Sequence, residues 1–206
     1  METLKIKFLL VFMFLTIISI AQNNYSNLQE AFKNSYKYEN KGDYTKAIDE
    51  IKQHYSENSY EINLRLGWLY YLSGNQTESM KYYKKAIDLY PLSEEAKLGY
   101  VLPASAVGNW DDVLNIYLNI LTNNPYNTTV LYRTGLIYYN KEQYSQAYKY
   151  FEKLINLYPF SYDGLIMFAW TNYKLGKYRE AKLLFQKVLL VSPDDASAKE
   201  GLNLIK

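Results

Sequence analysis

Few side chains in this sequence could do acid–base or metal chemistry. The only histidine is His54, and the chain contains no cysteine, so no second soft ligand can complete a transition-metal site with it. Adjacent acidic pairs occur at Glu94-Glu95, Asp111-Asp112 and Asp194-Asp195. Each pair stands at the start of a candidate helix, where acidic side chains complement the positive end of the helix dipole. The sequence therefore predicts no catalytic residue, no metal site and no cofactor.

The elements that would position any functional side chain follow a period of 34 residues. The period is marked by Pro91, Pro125, Pro159 and Pro193. At a fixed offset before these prolines stand Gly74, Gly108, Glu142 and Gly176. A repeat of this length is typical of a solenoid built from small helical units.

Each period predicts two amphipathic helices joined by a tight turn. In the second repeat, Leu66 and Tyr70 precede Gly74, while Tyr83 and Ala86 follow it. Apolar residues three or four positions apart on both sides of the glycine favour two helices of about 13 residues. Glycine can take the positive φ that ends the first helix, and the proline that follows cannot continue the second.

These residues resemble the tetratricopeptide repeat (TPR) family, whose unit is a 34-residue pair of antiparallel helices with a closing proline. The second repeat matches through Leu66, Gly67, Tyr70, Gly74, Tyr83, Ala86 and Pro91. The fourth matches through Leu131, Gly135, Tyr138, Tyr144, Ala147, Phe151 and Pro159, and the fifth through Ala169, Gly176, Tyr178, Ala181, Phe185 and Pro193. Ser79, Lys97 and Val113 depart from the pattern. The resemblance implies an all-α, right-handed helical-repeat solenoid of about five helix pairs.

The period predicts repeats at 28–59, 60–93, 94–127, 128–161 and 162–195, followed by a C-terminal capping helix at 196–205. Before the repeats we expect a signal peptide at 1–21 and a lead-in at 22–27, with helix caps at Ser26 and Asn27. The third repeat carries Pro103 inside its first helix. Because proline removes one helical hydrogen bond and clashes with the carbonyl four residues back, we expect a kinked or split helix between Gly99 and Ala104.

The first residues are typical of a secretory signal. Lys5 and Lys7 precede a mostly apolar stretch at 8–20, and Ser19-Ile20-Ala21 supplies small residues for cleavage before Gln22. We therefore expect an exported protein, periplasmic or secreted, with no stable membrane span after cleavage. An uncleaved N-terminal anchor is the alternative.

The concave surface of such a stack is lined by the first helix of each repeat. The groove residues that we expect on three of these helices are Leu64, Trp68, Tyr71, Tyr132, Leu136, Tyr139, Ile166, Trp170 and Tyr173. These helices are apolar around more than the stripe that core burial requires, which favours a groove for a peptide or helix. The alternative is that Trp68 and Trp170 pack against the next repeat.

The hypothesis from sequence is a non-catalytic protein–protein interaction scaffold that binds a peptide or helical segment. The alternative is a structural or assembly subunit of a cell-envelope complex, or a module that self-associates through convex tyrosines such as Tyr82, Tyr148 and Tyr150. A net charge of +2, with no long run of one sign, disfavours nucleic acid as a partner. TPR domains that clamp a carboxylate use Lys, Asn and Arg at places held here by Phe32, Tyr36, Arg65, Glu95 and Gly99. The resemblance therefore does not extend to that clamp.

Overall fold

A computed structural model describes residues 25–205. The predicted signal peptide and the start of the lead-in therefore lie outside the described residues. Within 25–205, no helix has both the length and the hydropathy needed to cross a membrane.

The described chain is helical and contains no strand between residues 25 and 205, which confirms the all-α class. The described residues divide into two compact units, 25–107 and 108–205. The described helices of the first unit are α1 (25–39), α2 (Tyr44–Lys52), α3 (Tyr60–Leu72), α4 (Gln76–Leu89) and α5 (Glu94–Ala106). Those of the second are α6 (Trp110–Asn123), α7 (Thr128–Asn140), α8 (Tyr144–Leu157), α9 (Tyr162–Lys174), α10 (Tyr178–Val191) and α11 (Ala196–Leu204).

Within each unit, successive helices pack against each other, and first helices also contact the first helix of the next pair. In the first unit α3 packs on α4 and on α5; in the second unit α7 packs on α8 and on α9. The apolar cluster of the first unit includes Ile51, Leu66 and Leu69. The cluster of the second includes Phe185 and Val188, with α11 contributing Ala198. Each helix pair thus completes its core with residues of its neighbours, as short helical repeats must.

The turn residues behave as their spacing predicts. Gly42, Gly74, Gly108 and Gly176 all have φ between 73° and 79°, and Glu142 takes the same place with φ of 58°. α4 ends at Leu89, with Tyr90 as its C-cap and Pro91 next. The first helices begin on side-chain caps: Ser59, Asn127 and Ser161 each accept a hydrogen bond from the backbone N–H three residues on.

One sequence prediction about a helix end is wrong, and a second is wrong in part. Residues 25–27 already belong to α1, so Ser26 and Asn27 lie inside the helix rather than capping it. Nothing between residue 25 and Leu28 breaks the helix, and Leu28 anchors this first turn by packing on the core. The helix with Pro103 is not split, because α5 runs unbroken from Glu94 to Ala106. The expected kink stays a prediction. Pro103 is buried in the last turn, where the only helical hydrogen bond lost is the one that its missing N–H would make to Gly99, and its carbonyl accepts the N–H of Val107.

Close approach between helices depends on glycines that face aromatic rings. A Cβ added to Gly67 would lie 2.8 Å from the ring of Tyr83, and one added to Gly99 would lie 2.2 Å from the same ring. Gly99 is therefore needed for the contact with Tyr83. In the second unit, Gly135 meets Phe151 in the same way, at 2.6 Å.

We expect Glu142→Gly to stabilise the protein by about 0.5–1 kcal/mol. A side chain with a Cβ is strained at positive φ, whereas glycine is not, and the relief exceeds the extra entropy that glycine gives the unfolded chain. Urea denaturation followed by circular dichroism measures the change. Gly176→Ala, at the equivalent turn, is the matched control and should destabilise. A lower midpoint for Glu142→Gly would contradict the interpretation of this turn.

Candidate functional site

A cavity of about 830 Å³ lies in the first unit, with walls from α1, α3 and α5 and the ring of Tyr83 from α4. Its apolar and aromatic lining is Phe32, Tyr36, Tyr60, Leu64, Trp68, Tyr83, Leu98 and Leu102. Its remaining lining is Glu39, Asn40, Glu61, Arg65, Glu95 and Gly99. The volume falls within the range of about 300–1,000 Å³ that is usual for ligand sites.

Helices α1, α3 and α5 each contribute one face to the cavity, because side chains three or four positions apart lie on the same side of a helix. The α3 residues that line the cavity form two rows with a spacing of four, Tyr60–Leu64–Trp68 and Glu61–Arg65, which lie side by side on one face of the helix. The same helix buries Leu66 on its opposite side. Helix α3 therefore has one apolar face that completes the core and a second that remains open to the cavity.

A buried ion pair fixes one end of the cavity wall. The guanidinium of Arg65 lies 2.5 Å from Glu39 Oε2, and its Nε and Nη2 donate to Ser35 Oγ at 3.2 and 3.0 Å. The plane of Arg65 lies over the ring of Tyr36, 3.9 Å from its centroid. The other carboxylate oxygen, Glu39 Oε1, accepts the indole N–H of Trp68 at 2.6 Å. This network holds the rings of Tyr36 and Trp68 in place. The charge of Arg65 is neutralised by Glu39 within the protein.

The other end of the cavity is acidic. Glu61 and Glu95 stand in the first turns of α3 and α5. The hydroxyl of Tyr60 donates to Glu95 Oε2 at 3.1 Å and lies 2.8 Å from Ser93 Oγ. Burial is the largest cause that raises the pKa of Tyr60, with the charge of Glu95 adding to it. Burial first and then Glu95 also raise the pKa of Tyr83, so the negative field of Glu95 reaches two rings of the cavity wall.

The structure brings only part of the predicted groove into this cavity. Leu64 and Trp68 line it. Tyr71 is half-buried and its ring lies 5.8 Å from that of Trp68, but it is not part of the cavity lining.

In the second unit the predicted groove residues divide into two groups. Half-buried side chains are Tyr132, Leu136, Tyr139, Trp170 and Tyr173. Ile166 is wrong as a groove residue, because it is only 8% exposed and belongs to the core cluster with Leu165 and Ala169. Trp170 donates its indole N–H to Ser197 Oγ at 2.8 Å, so it packs partly against α11, as the alternative interpretation held.

Sequence reasoning assigned Phe32, Tyr36, Arg65, Glu95 and Gly99 to groove places, and all five line the cavity, but it did not name two leucines of α5. Leu98 and Leu102 follow Leu64 and Trp68 by 34 residues, and both line the cavity. Their repeat register was the signal that could have identified them. Glu61 and Glu95 share the same 34-residue relationship.

The convex tyrosines are less available than the sequence suggested. Tyr82 is buried, with its ring stacked on Tyr70 at 5.4 Å, so it is wrong as a contact for self-association. Tyr150 stacks on Tyr138 at the same distance. Several apolar side chains are instead exposed, and three of them directly follow repeat prolines, at Leu92, Tyr126 and Phe160.

Among residues 25–205, no three carboxylate or imidazole side chains lie close enough together to hold a metal ion. The acidic end of the cavity holds two glutamates, and His54 is half-buried outside the lining.

We expect Glu39→Ala to destabilise the protein by about 3 kcal/mol, more than Arg65→Met does. Removing the carboxylate leaves the buried guanidinium without its counter-ion, whereas Met fills similar volume without a charge. Urea denaturation of both variants measures the difference. The double variant Glu39→Ala with Arg65→Met is the control, and it should be more stable than Glu39→Ala alone. Equal stability of the two single variants would contradict the role of the pair.

The comparisons with known proteins agree with this fold. Residues 79–198, more than half of the chain, match the family described as the EMC2 TPR-like repeat domain, and residues 60–91 match the tetratricopeptide repeat. A crystal structure of a tetratricopeptide repeat protein from Parabacteroides merdae ATCC 43184 superposes with a TM-score of 0.73 at 22% identity, covering 87% of this chain and 72% of that one. At this identity the likeness concerns the fold alone.

Two curated relatives are much longer than this chain. A TPR repeat-containing protein of Methanocaldococcus jannaschii is 28% identical, with 79% of this chain and 30% of the relative covered. Protein CTR9 homolog of Arabidopsis thaliana is 23% identical, with 76% and 16% covered. This chain therefore spans less than a third of either relative.

Tetratricopeptide repeats generally form non-catalytic scaffolds, and stacked helical repeats present extended concave surfaces for binding. The helix pairs, the positive-φ turns and the closing prolines are the features of such repeats. By the match over residues 79–198, this chain belongs to the EMC2 TPR-like repeat domain family of tetratricopeptide repeat proteins.

Proposed function

We propose that this protein is a non-catalytic protein–protein interaction scaffold that binds a peptide or helical segment in the cavity of its first unit. The observation that carries the proposal is solvent-exposed apolar surface on the side chains that line this cavity. Leu98 and Leu102 are 36% and 38% exposed, and Tyr36 is 51% exposed. All three line the cavity, where a partner side chain can cover them.

The cavity wall is preorganised for binding. Because Glu39 and Arg65 already hold Trp68 and Tyr36, a partner does not have to order these rings. Ordering a rotamer-rich side chain at an interface opposes binding by about 0.5–1.5 kcal/mol, so rings that are already fixed favour affinity. Burial of one leucine contributes about 1.5–3 kcal/mol when it is complete, and less here because both leucines are partly covered already.

A second candidate function is a structural or assembly subunit that associates through its edges. The observation that favours it is the exposed apolar side chain that follows each of three repeat prolines, at Leu92, Tyr126 and Phe160. Sedimentation at several protein concentrations separates self-association from the first candidate. A monomer at all concentrations would exclude self-association.

We expect peptides selected from a random display library on the purified protein to bind at least tenfold more weakly to Leu98→Asn with Leu102→Asn, because the variant loses apolar contact worth about 1.4 kcal/mol or more. Fluorescence anisotropy of labelled peptides measures the affinity. Leu183→Asn with Leu190→Asn, at two exposed leucines of α10, is the matched control and should bind normally. Selected peptides that bind the cavity variant as well as the unchanged protein would refute the proposal.

The proposal also places the protein outside the cytoplasm. Its basis is the mostly apolar stretch at 8–20, with small residues at Ser19 and Ala21 around its end. We expect the protein isolated from its native host to begin at Gln22, as measured by mass spectrometry of its N-terminal peptide. An N-terminal peptide that includes residues 8–20 in a membrane fraction would instead indicate an uncleaved anchor. Recovery of the intact chain in the cytosol would contradict export.

A further inference from the structure

We infer that the segment bound in this cavity carries a lysine or arginine side chain beside its apolar residues, and that Glu61 and Glu95 bind it. The inference rests on the proposed function and specifies the chemistry of the partner. Its basis is the charge of the cavity lining, the position of the two carboxylates and the hydrogen bonds that each already makes.

The cavity lining has an excess of negative charge. It contains Glu39, Glu61 and Glu95 but only one basic residue, Arg65. Glu39 and Arg65 neutralise each other at 2.5 Å. The two remaining carboxylates are therefore uncompensated within the lining.

Both remaining carboxylates are open to a ligand. Glu61 and Glu95 are exposed, they lie one repeat apart on neighbouring helices, and no ion pair within residues 25–205 involves either. Glu61 accepts a hydrogen bond from Ser59 at 3.0 Å, and Glu95 accepts one from Tyr60 at 3.1 Å. An ionised carboxylate can accept about four hydrogen bonds, so each keeps capacity for an ammonium or guanidinium.

The aromatic lining suits a cation as well. Tyr60 and Phe32 line the cavity together with the two glutamates. A cation near an aromatic face gains about 0.5–2 kcal/mol. Arg65 above the ring of Tyr36 shows the same contact already formed within this cavity.

An acidic segment is the less favourable occupant. The guanidinium of Arg65 is buried, with Glu39, Ser35 and Tyr36 as its partners, so it cannot serve as the anchor for a ligand carboxylate. A carboxylate at the other end of the cavity would meet two like charges instead. Glu61 and Glu95 also complement the dipoles of α3 and α5, and this role does not by itself require a ligand.

The test compares peptides from the same display library. We expect selected sequences to be enriched in lysine and arginine relative to the unselected library. Replacing the basic residue of a selected peptide with glutamine should weaken binding about tenfold, as expected for loss of charge-assisted hydrogen bonds. Glu61→Gln with Glu95→Gln should weaken the original peptide by a similar factor and leave the glutamine peptide unaffected. Glutamine keeps an acceptor for Ser59 and Tyr60, and circular dichroism verifies that the variant is folded.

Glu57→Gln with Glu78→Gln is the matched control, since it removes two acidic charges from the first unit outside the cavity lining. If this control loses as much affinity for the basic peptide as Glu61→Gln with Glu95→Gln does, the net charge of the protein explains the loss and the inference is overturned. Peptides that require Leu98 and Leu102 but show no preference for basic residues would overturn the inference and leave the proposed function intact. Failure to select any peptide would overturn both.

Discussion

The packing of an aromatic ring against glycine is the contact on which the helix pairs depend. In the first unit the ring of Tyr83, on α4, lies between Gly67 of α3 and Gly99 of α5. A side chain at either glycine would push the helices apart, because interiors this closely packed leave no space for an additional methyl group. One ring from a second helix thus fixes the distance between two first helices. Phe151 and Gly135 repeat the contact in the second unit.

The cavity of the first unit is a consequence of this spacing. Once α3 and α5 are held by Tyr83, they form a shared wall with Leu64 on one helix and Leu98 on the next, and Tyr83 itself is part of the lining. A helix that only had to complete a core would need one apolar stripe. Helix α3 has a second apolar stripe, which faces the cavity. The ion pair of Arg65 and Glu39 lies beside this stripe, and its two charges neutralise each other. The wall therefore combines apolar surface with rings held by polar contacts.

The sequence predicted the periodic features well, because they depend on neighbouring residues. The positive φ at Gly74 and the helix end before Pro91 follow from local backbone chemistry. Features that depend on contacts between residues far apart in the chain could not be predicted from the sequence pattern. The pair of Arg65 with Glu39 joins the first repeat, whose spacing departs from 34, to the second, so no fixed offset reveals it. The burial of Ile166 depends on packing against a neighbouring helix, and a helical pattern alone does not distinguish that side from a groove.

The distribution of charge in the cavity distinguishes this chain from TPR domains that clamp a carboxylate. A clamp requires basic and amide side chains that are free to donate to the ligand. Here the single arginine of the lining donates to Ser35 and pairs with Glu39, and the open polar groups at the other end are acceptors on Glu61 and Glu95. Carboxylate acceptors pair with hydrogen-bond donors. The fold that binds anions in the clamp domains therefore presents groups suited to a cation in this protein. Under the proposed function, selectivity would depend on a few side chains such as Glu61 and Glu95, which can vary without disturbing the packing of Tyr83 against Gly67 and Gly99.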